Sequence, residues 1–223
     1  INEYTLSTAF DPTSATHESG NILDVSGKDG QPQGIAFNND GTKIYMVGNG
    51  SGEVHAWTLG TAYSLANVHA TNDYISGYNT ATGSNNPRDI MFNNDGTKMY
   101  ILHGAASAAD DRIYEYTLST AFDPTSATHE SGNVLDVSGK DIYPQGIAFN
   151  NDGTKIYMVG NQRDEVHAWS LGTAYSLANV HATNDYISAY NTATGSDNPR
   201  DIMFNNDGTK MYILHGDGTT ADD

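Results

Sequence analysis

The sequence predicts an all-β chain folded as a β-propeller of four four-stranded blades, and three observations predict it. The segment Asn-Asn-Asp-Gly-Thr-Lys begins at Asn38, Asn93, Asn150 and Asn205, so its four copies are almost evenly spaced along the chain. Each copy lies between two short apolar runs, and Asp-Gly between such runs is a strong hairpin signal because glycine accepts the positive φ of the turn. No long stretch carries a helical apolar period. Four-stranded units repeating every ~40–60 residues are the sequence pattern of propeller blades.

The elements follow in order. Ile1 to Leu6 aligns with Ile113 to Leu118 and is expected as the third strand of a blade. In the unit around Asn38, Gly34 to Phe37 and Lys43 to Val47 are the first two strands, joined by the turn at Asn39-Asp40-Gly41. Both are apolar on both faces, which suits strands held between neighbouring sheets. Glu53 to Leu59 is the third strand, and a fourth is expected near Asp73-Tyr74-Ile75, before Asn85-Asn86-Pro87 breaks the chain. The last strand, Met211 to Leu214, is the second of its blade. The N-terminus thus supplies strands three and four of a split closing blade, and the C-terminus supplies strands one and two. Joining them protects the sheet edges. The sequence favours one chain closing as a four-bladed monomer. The alternative is half of an eight-bladed homodimeric ring.

A second repeat overlies the first. Residues 1–111 match 113–223 at an offset of 112, differing at 14 of 111 positions, so 97 are identical. Four near-equal units fill the chain, which is expected to be one domain, 1–223, with internal repeats 1–112 and 113–223. The phrase from Pro32 to Val47, with related phrases starting at Pro87, Pro144 and Pro199, resembles the blade phrase of YVTN-type bacterial propellers. The resemblance covers all four units. It implies the blade and no single function, since such propellers include surface proteins, binding scaffolds and a few enzymes.

Composition excludes several classes. Lys plus Arg is 10 and Asp plus Glu is 27, so the net charge is −17, which argues against nucleic acid and against anionic membrane surfaces. There is no cysteine, hence no disulfide and no thiolate site. No apolar run approaches the roughly 20 residues of a membrane span, so no membrane insertion is expected. The acidity and the Asn, Thr and Gly content suit a secreted or cell-surface protein.

The differences between the halves point to one face. Twelve of the 14 lie in or near the loops joining strand two to three, and strand four to the next blade. Gly50-Ser51-Gly52 becomes Gln162-Arg163-Asp164, and Gly30-Gln31 becomes Ile142-Tyr143. The expected function is therefore a non-enzymatic binding module. A glycan or protein ligand would meet this top face through Tyr143 and Arg163, residue types that anchor interfaces. A bland alternative is that these loops drift freely. Arg88-Asp89 and Arg200-Asp201 open the innermost strands, where the other units carry Gln33-Gly34 and Gln145-Gly146. Around an axial pocket, Gln33, Arg88, Asp89, Gln145, Arg200 and Asp201 can hold a polar ligand, or Arg and Asp simply pair with each other. Asp110, Asp111, Asp217, Asp222 and Asp223 are candidates for Ca²⁺, the one cofactor considered. Eight His recur as four pairs without metal-ligand spacing and are read as structural. No catalytic motif appears, so no catalytic residue is assigned. The alternatives are a lactonase- or hydrolase-type propeller with an axial polar or metal site, and a structural repeat, a fragment of a longer array or an engineered chain.

Overall fold

The computed structural model describes residues 1–9, 11–71, 73–79, 86–104, 111–141, 143–161, 165–181, 185–191 and 198–216. Sixteen strands run in chain order. β1 (Asn2–Leu6) pairs with β2 (Ala15–Ile22) in a two-stranded sheet. Three four-stranded antiparallel sheets follow. The first holds β3 (Pro32–Phe37), β4 (Lys43–Gly48), β5 (Glu53–Thr58) and β6 (Tyr74–Asn79). The second holds β7 (Pro87–Phe92), β8 (Lys98–His103), β9 (Arg112–Leu118) and β10 (Ala127–Asp136). The third holds β11 (Pro144–Phe149), β12 (Lys155–Gly160), β13 (Glu165–Ser170) and β14 (Tyr186–Asn191). A last two-stranded sheet is β15 (Pro199–Phe204) with β16 (Met211–His215).

The repeated hexapeptide builds each first hairpin from its own side chains. The Asn38 carboxamide accepts from Lys43 N–H at 2.9 Å and donates to Thr42 Oγ1 at 3.1 Å, while Asp40 accepts from Thr42 N–H at 3.0 Å. Gly41 sits at φ 69°, and a Cβ there would lie 2.3 Å from the Tyr63 ring, so glycine serves both the turn and the ring packed on it. Tyr63 closes the arrangement by donating its hydroxyl to the Asn39 carbonyl at 2.6 Å.

Neighbouring blades touch through their first strands: β3 packs on β7, β7 on β11 and β11 on β15. The core lies between sheets. Tyr100, Leu102, Ile113 and Leu135 of one blade meet Ile147, Ile156, Met158 and Trp169 of the next. Each such side chain contributes roughly 1.5–3 kcal/mol by burial, and this explains why β4 is apolar on both faces: Ile44, Tyr45, Met46 and Val47 are all fully buried. Polar links cross the same junctions. The Tyr45 hydroxyl donates to the Phe122 carbonyl at 2.6 Å, and Tyr100 does the same to Tyr175. A belt of amides runs from Asn39 to the Asn94 carbonyl, Asn94 to Asn151 at 3.4 Å, and Asn151 to Asn206.

The described strands thus form blade-like four-stranded sheets, as the sequence predicts, with small shifts of boundary: first strands start at the proline, and the fourth runs over 74–79. One difference is larger. The halves of the split blade remain two separate two-stranded sheets, and β16 and β1 are not paired. Glu3 of β1 accepts from Leu65 N–H at 2.5 Å, tying β1–β2 to the β3–β6 sheet. The other half, β15–β16, packs on β11–β12 around Ile202, Phe204 and Val159. Among the described residues no helix is long and apolar enough to cross a membrane.

Candidate axial site

The first strands converge on a common axis, and each carries an irregularity at its entrance. Pro87 pairs with His103 and Asp89 with Leu102, so Arg88 is an extra residue in the ladder; the same shift occurs after Pro32, Pro144 and Pro199. Such a bulge re-aims side chains, and here it turns the residues after each proline toward the axis. A cavity of about 250 Å³ results, lined by Gln33, Arg88, Asp89, Gln145, Arg200 and Asp201, together with Gly34, Ile35 and Leu214. The six axial residues expected from the sequence are therefore brought together.

Asp89 is the most perturbed group in it. Its Oδ1 accepts from Ile90 N–H at 2.8 Å and its Oδ2 from Ile147 N–H of the next blade at 2.9 Å. Burial nonetheless pushes its carboxyl up to about 7, assisted by the negative charge of Asp201; the two N–H bonds oppose the rise without cancelling it. Burial raises Asp201 as well, with only the Ile202 N–H, at 2.8 Å, opposing it. Arg88 donates from Nε to the Gly104 carbonyl at 3.1 Å, and its guanidinium pKa is lowered by burial and by the like charge of Arg200. Two guanidinium groups and two carboxyls with raised pKa thus face one small polar cavity. Such a set can bind an anionic or carbonyl oxygen and move a proton.

Two features were missed from the sequence. Gly34 and Gly146 make the room: a Cβ on Gly34 would lie 3.0 Å from Asp89 Oδ1, and one on Gly146 2.9 Å from Asp201 Oδ1. The alternation of Gln-Gly with Arg-Asp is the signal that carried this information, since each carboxylate occupies the space left by its neighbour's glycine. The Ile147 N–H as a donor to the Asp89 carboxylate had no sequence signal, because it belongs to a different blade.

The remaining expected residues lie elsewhere. Tyr143 is half-buried outside the cavity, its N–H donating to Asp141 at 2.8 Å and its carbonyl accepting from Asn161 at 3.0 Å. Arg163 lies outside the described residues, as do Asp110, Asp217, Asp222 and Asp223, while Asp111 is buried. Among the described residues no group of three His, Cys, Asp or Glu is placed to hold a metal ion. His55 is buried between the Tyr74 hydroxyl at 2.9 Å and Ser51 Oγ at 3.0 Å, a packed core position.

No protein-family model matches the chain, and no curated protein matches its sequence significantly. Solved structures do match in fold. The β-propeller domain of Cps50 (Swd1) from Myceliophteria thermophila superposes with a TM-score of 0.52 at 12% identity, covering 82% of this chain and 50% of that one. A candidate 6-phosphogluconolactonase from Bacteroides uniformis gives 0.51 at 12%, covering 94% and 56%. The periplasmic gluconolactonase of Pseudomonas aeruginosa gives 0.52 at 12%, covering 82% and 42%. The chain spans about half the length of these three structures. At these identities the likeness establishes the β-propeller fold.

These neighbours correct the functional expectation. Two of these neighbours carry lactonase names, and neither is named as a glycan- or protein-binding module of the kind expected on the top face. In the first half, the varied segment turns inward to hold a buried carboxylate: Asp29 accepts from Gly50 N–H at 3.1 Å, Ser51 N–H at 2.8 Å and Ser51 Oγ at 2.9 Å. A loop spent on that task is a structural clamp, which is why its exposure could not be inferred from its variability.

Proposed function

We propose that the chain is a hydrolytic propeller enzyme of lactonase type, with blades of the YVTN kind, acting on a small polar lactone in the axial cavity. The finer architecture belongs to the same reading: each chain supplies the strands of four blades, one of them as the separate halves β15–β16 and β1–β2. The observation that carries the function is Asp89. A carboxyl with its proton held to about 7 beside two guanidinium groups is matched to proton transfer at neutral pH. In the ionised form it takes a proton from an attacking water, whose oxygen bonds to the lactone carbonyl carbon. Arg88 and Arg200 hold the developing oxyanion. Collapse breaks the ring C–O bond, and the proton returns to the leaving oxygen, giving the hydroxy acid. The lactonase names of two structural neighbours support the reaction class.

The test is pH-stat hydrolysis of glucono-δ-lactone and 6-phosphogluconolactone, corrected for spontaneous opening. Turnover is expected to rise with a single ionisation near pH 7, and Asp89→Asn is expected to lower kcat by on the order of 10²–10⁴-fold. Arg88→Met is expected to lower kcat and kcat/KM together, since it removes a donor to the developing oxyanion. Lactone opening at the spontaneous rate, or equal rates for wild type and Asp89→Asn, refutes the proposal.

A further inference from the structure

Identical residues in the two halves differ sharply in burial, and the differences lie at the two ends of the chain's arc of blades. Tyr116 on β9 is 1% exposed and its copy Tyr4 on β1 is 58% exposed; Leu102 on β8 is fully buried and its copy Leu214 on β16 is 62% exposed. Tyr212, Met211, Leu6 and Ile35 are likewise exposed where Tyr100, Met99, Leu118 and Ile147 are buried. What covers the buried set is known from this chain: the free edges of β16 and β1 carry the sequences of β8 and β9, which pair with each other. There Lys98 pairs with Thr117, Met99 with Tyr116 and Tyr100 with Glu115. The surface that fits β16 is therefore a β1 edge.

We propose that β16 and β1 are joined between two copies of this chain, giving a two-fold dimer whose two arcs form one ring with two identical seams. Residues 98–103 repeat as 210–215 and 113–117 repeat as 1–5 with Asn2 in place of Tyr114, so Lys210 faces Thr5 of the second copy, Met211 faces Tyr4 and Tyr212 faces Glu3. Charge complements the ladder. Lys98 bonds the Glu115 carboxylate at 2.8 Å, and Lys210 and Glu3 are the same pair across the seam. Glu3 is already poised: it accepts from Leu65 N–H as Glu115 accepts from Leu177 N–H at 2.6 Å. The seam also completes the axial site. Asp89 Oδ2 accepts from Ile147 N–H within the chain, and the corresponding donor for Asp201 is Ile35 N–H of the second copy.

Pairing between copies, rather than within one, follows from where the halves are held. The β1–β2 pair is fastened to the β3–β6 sheet and β15–β16 to β11–β12, and held there β16 and β1 do not pair within the chain. The arc superposes over 82% of its length on half of the Cps50 propeller domain, so its blades turn as those of a ring about twice its length. Two such arcs close a ring and leave no strand edge free. A two-fold axis makes both seams alike without changing any junction inside the chain.

Light scattering of the full chain is expected to give twice the 23.9 kDa of one copy. Glu3→Lys alone and Lys210→Glu alone each place like charges at both seams, and each is expected to weaken the dimer at least tenfold. A one-to-one mixture restores opposite charges at both seams of every mixed pair, one in the native sense and one reversed, and is expected to return the two-copy species, which pairing within one chain cannot do. A wild-type mass of 23.9 kDa at every concentration up to the solubility limit, a species larger than two copies, or monomeric variants that stay monomeric on mixing overturns the proposal. If the charge variants remain dimeric, cysteine decides, since the chain has none of its own. Met211→Cys and Tyr4→Cys, prepared separately, mixed and oxidised, are expected to give a covalent dimer, and its absence overturns the proposal. The mass reads assembly whether or not the axial cavity opens a lactone, so this inference and the proposed function fail separately.

Discussion

Replacing Asp89 by Asn removes a carboxyl whose proton the fold holds to about 7. An unfolded aspartate ionises near 3.8, so the folded state binds this proton more tightly than the unfolded state. The stability contributed is fully present below pH 3.8 and is lost as pH rises through 7. Between pH 5 and 8 the two titration curves separate by about two pH units of binding free energy, or roughly 2–3 kcal/mol. Asn does not titrate, so its stability carries no such slope. Its carboxamide also has one acceptor oxygen where Asp89 uses two, for Ile90 and Ile147, which imposes a pH-independent cost of about 1–3 kcal/mol. Wild type is therefore expected to be the more stable at pH 5, with the gap closing or reversing by pH 8. Urea unfolding at pH 5, 6, 7 and 8, at one protein concentration because association shifts apparent stability, measures the difference directly. In thermal terms the change is about 5–10 °C for a chain of this size. Other carboxylates cancel in the comparison, because they are common to both proteins. Parallel stability curves for wild type and Asp89→Asn across this range refute the reasoning.

Two further substitutions test how the blades are held. Gly41→Ala is expected to cost roughly 2–4 kcal/mol, since it meets both a φ of 69° and the Tyr63 ring, whereas Gly208→Ala, at φ 70° with nothing within 4 Å, is expected to cost only about 1 kcal/mol; denaturant midpoints of the two variants compare them. Asp29→Ala is expected to destabilise by about 2–4 kcal/mol and to loosen residues 49–52, seen as faster amide exchange at Gly50 and Ser51. Burial alone would raise the Asp29 carboxyl, but the N–H groups of Gln31, Ser51 and Gly50 and the Ser51 hydroxyl hold it below the usual range. Its stabilisation is thus present above pH 3.8 and lost as pH falls, the reverse of Asp89.

Much of the fold was legible because it is local. The Asn-Asn-Asp-Gly-Thr-Lys turn is built from bonds between its own residues, and alternating turns and apolar runs mark each strand. The axial residues were legible for a related reason: the Arg-Asp and Gln-Gly pairs follow a proline at one fixed place in every unit, so the packing of first strand on first strand brings them to one cavity. What they do there was not legible. Asp89 is pushed toward neutrality because it is buried against Gly34 of β3 and Ile147 of β11, and the donor on its Oδ2 comes 58 residues later. The top loop misled the sequence reading for the same reason, since the bond from Ser51 to Asp29 spans 22 residues and ties variable positions to a buried charge.

The sequence by itself determined the blade, its repetition and the residues at the axis, because hairpin turns and strand periodicity act between near neighbours. Only the tertiary structure decided the protonation of Asp89, the inward duty of the Gly50-Ser51 loop and the separation of β16 from β1. Each depends on the solvent exclusion and the angle between sheets, and these exist only once the blades are packed. Tyr4 and Tyr116 are identical in sequence and opposite in exposure, since burial is a property of what stands beside a residue in space.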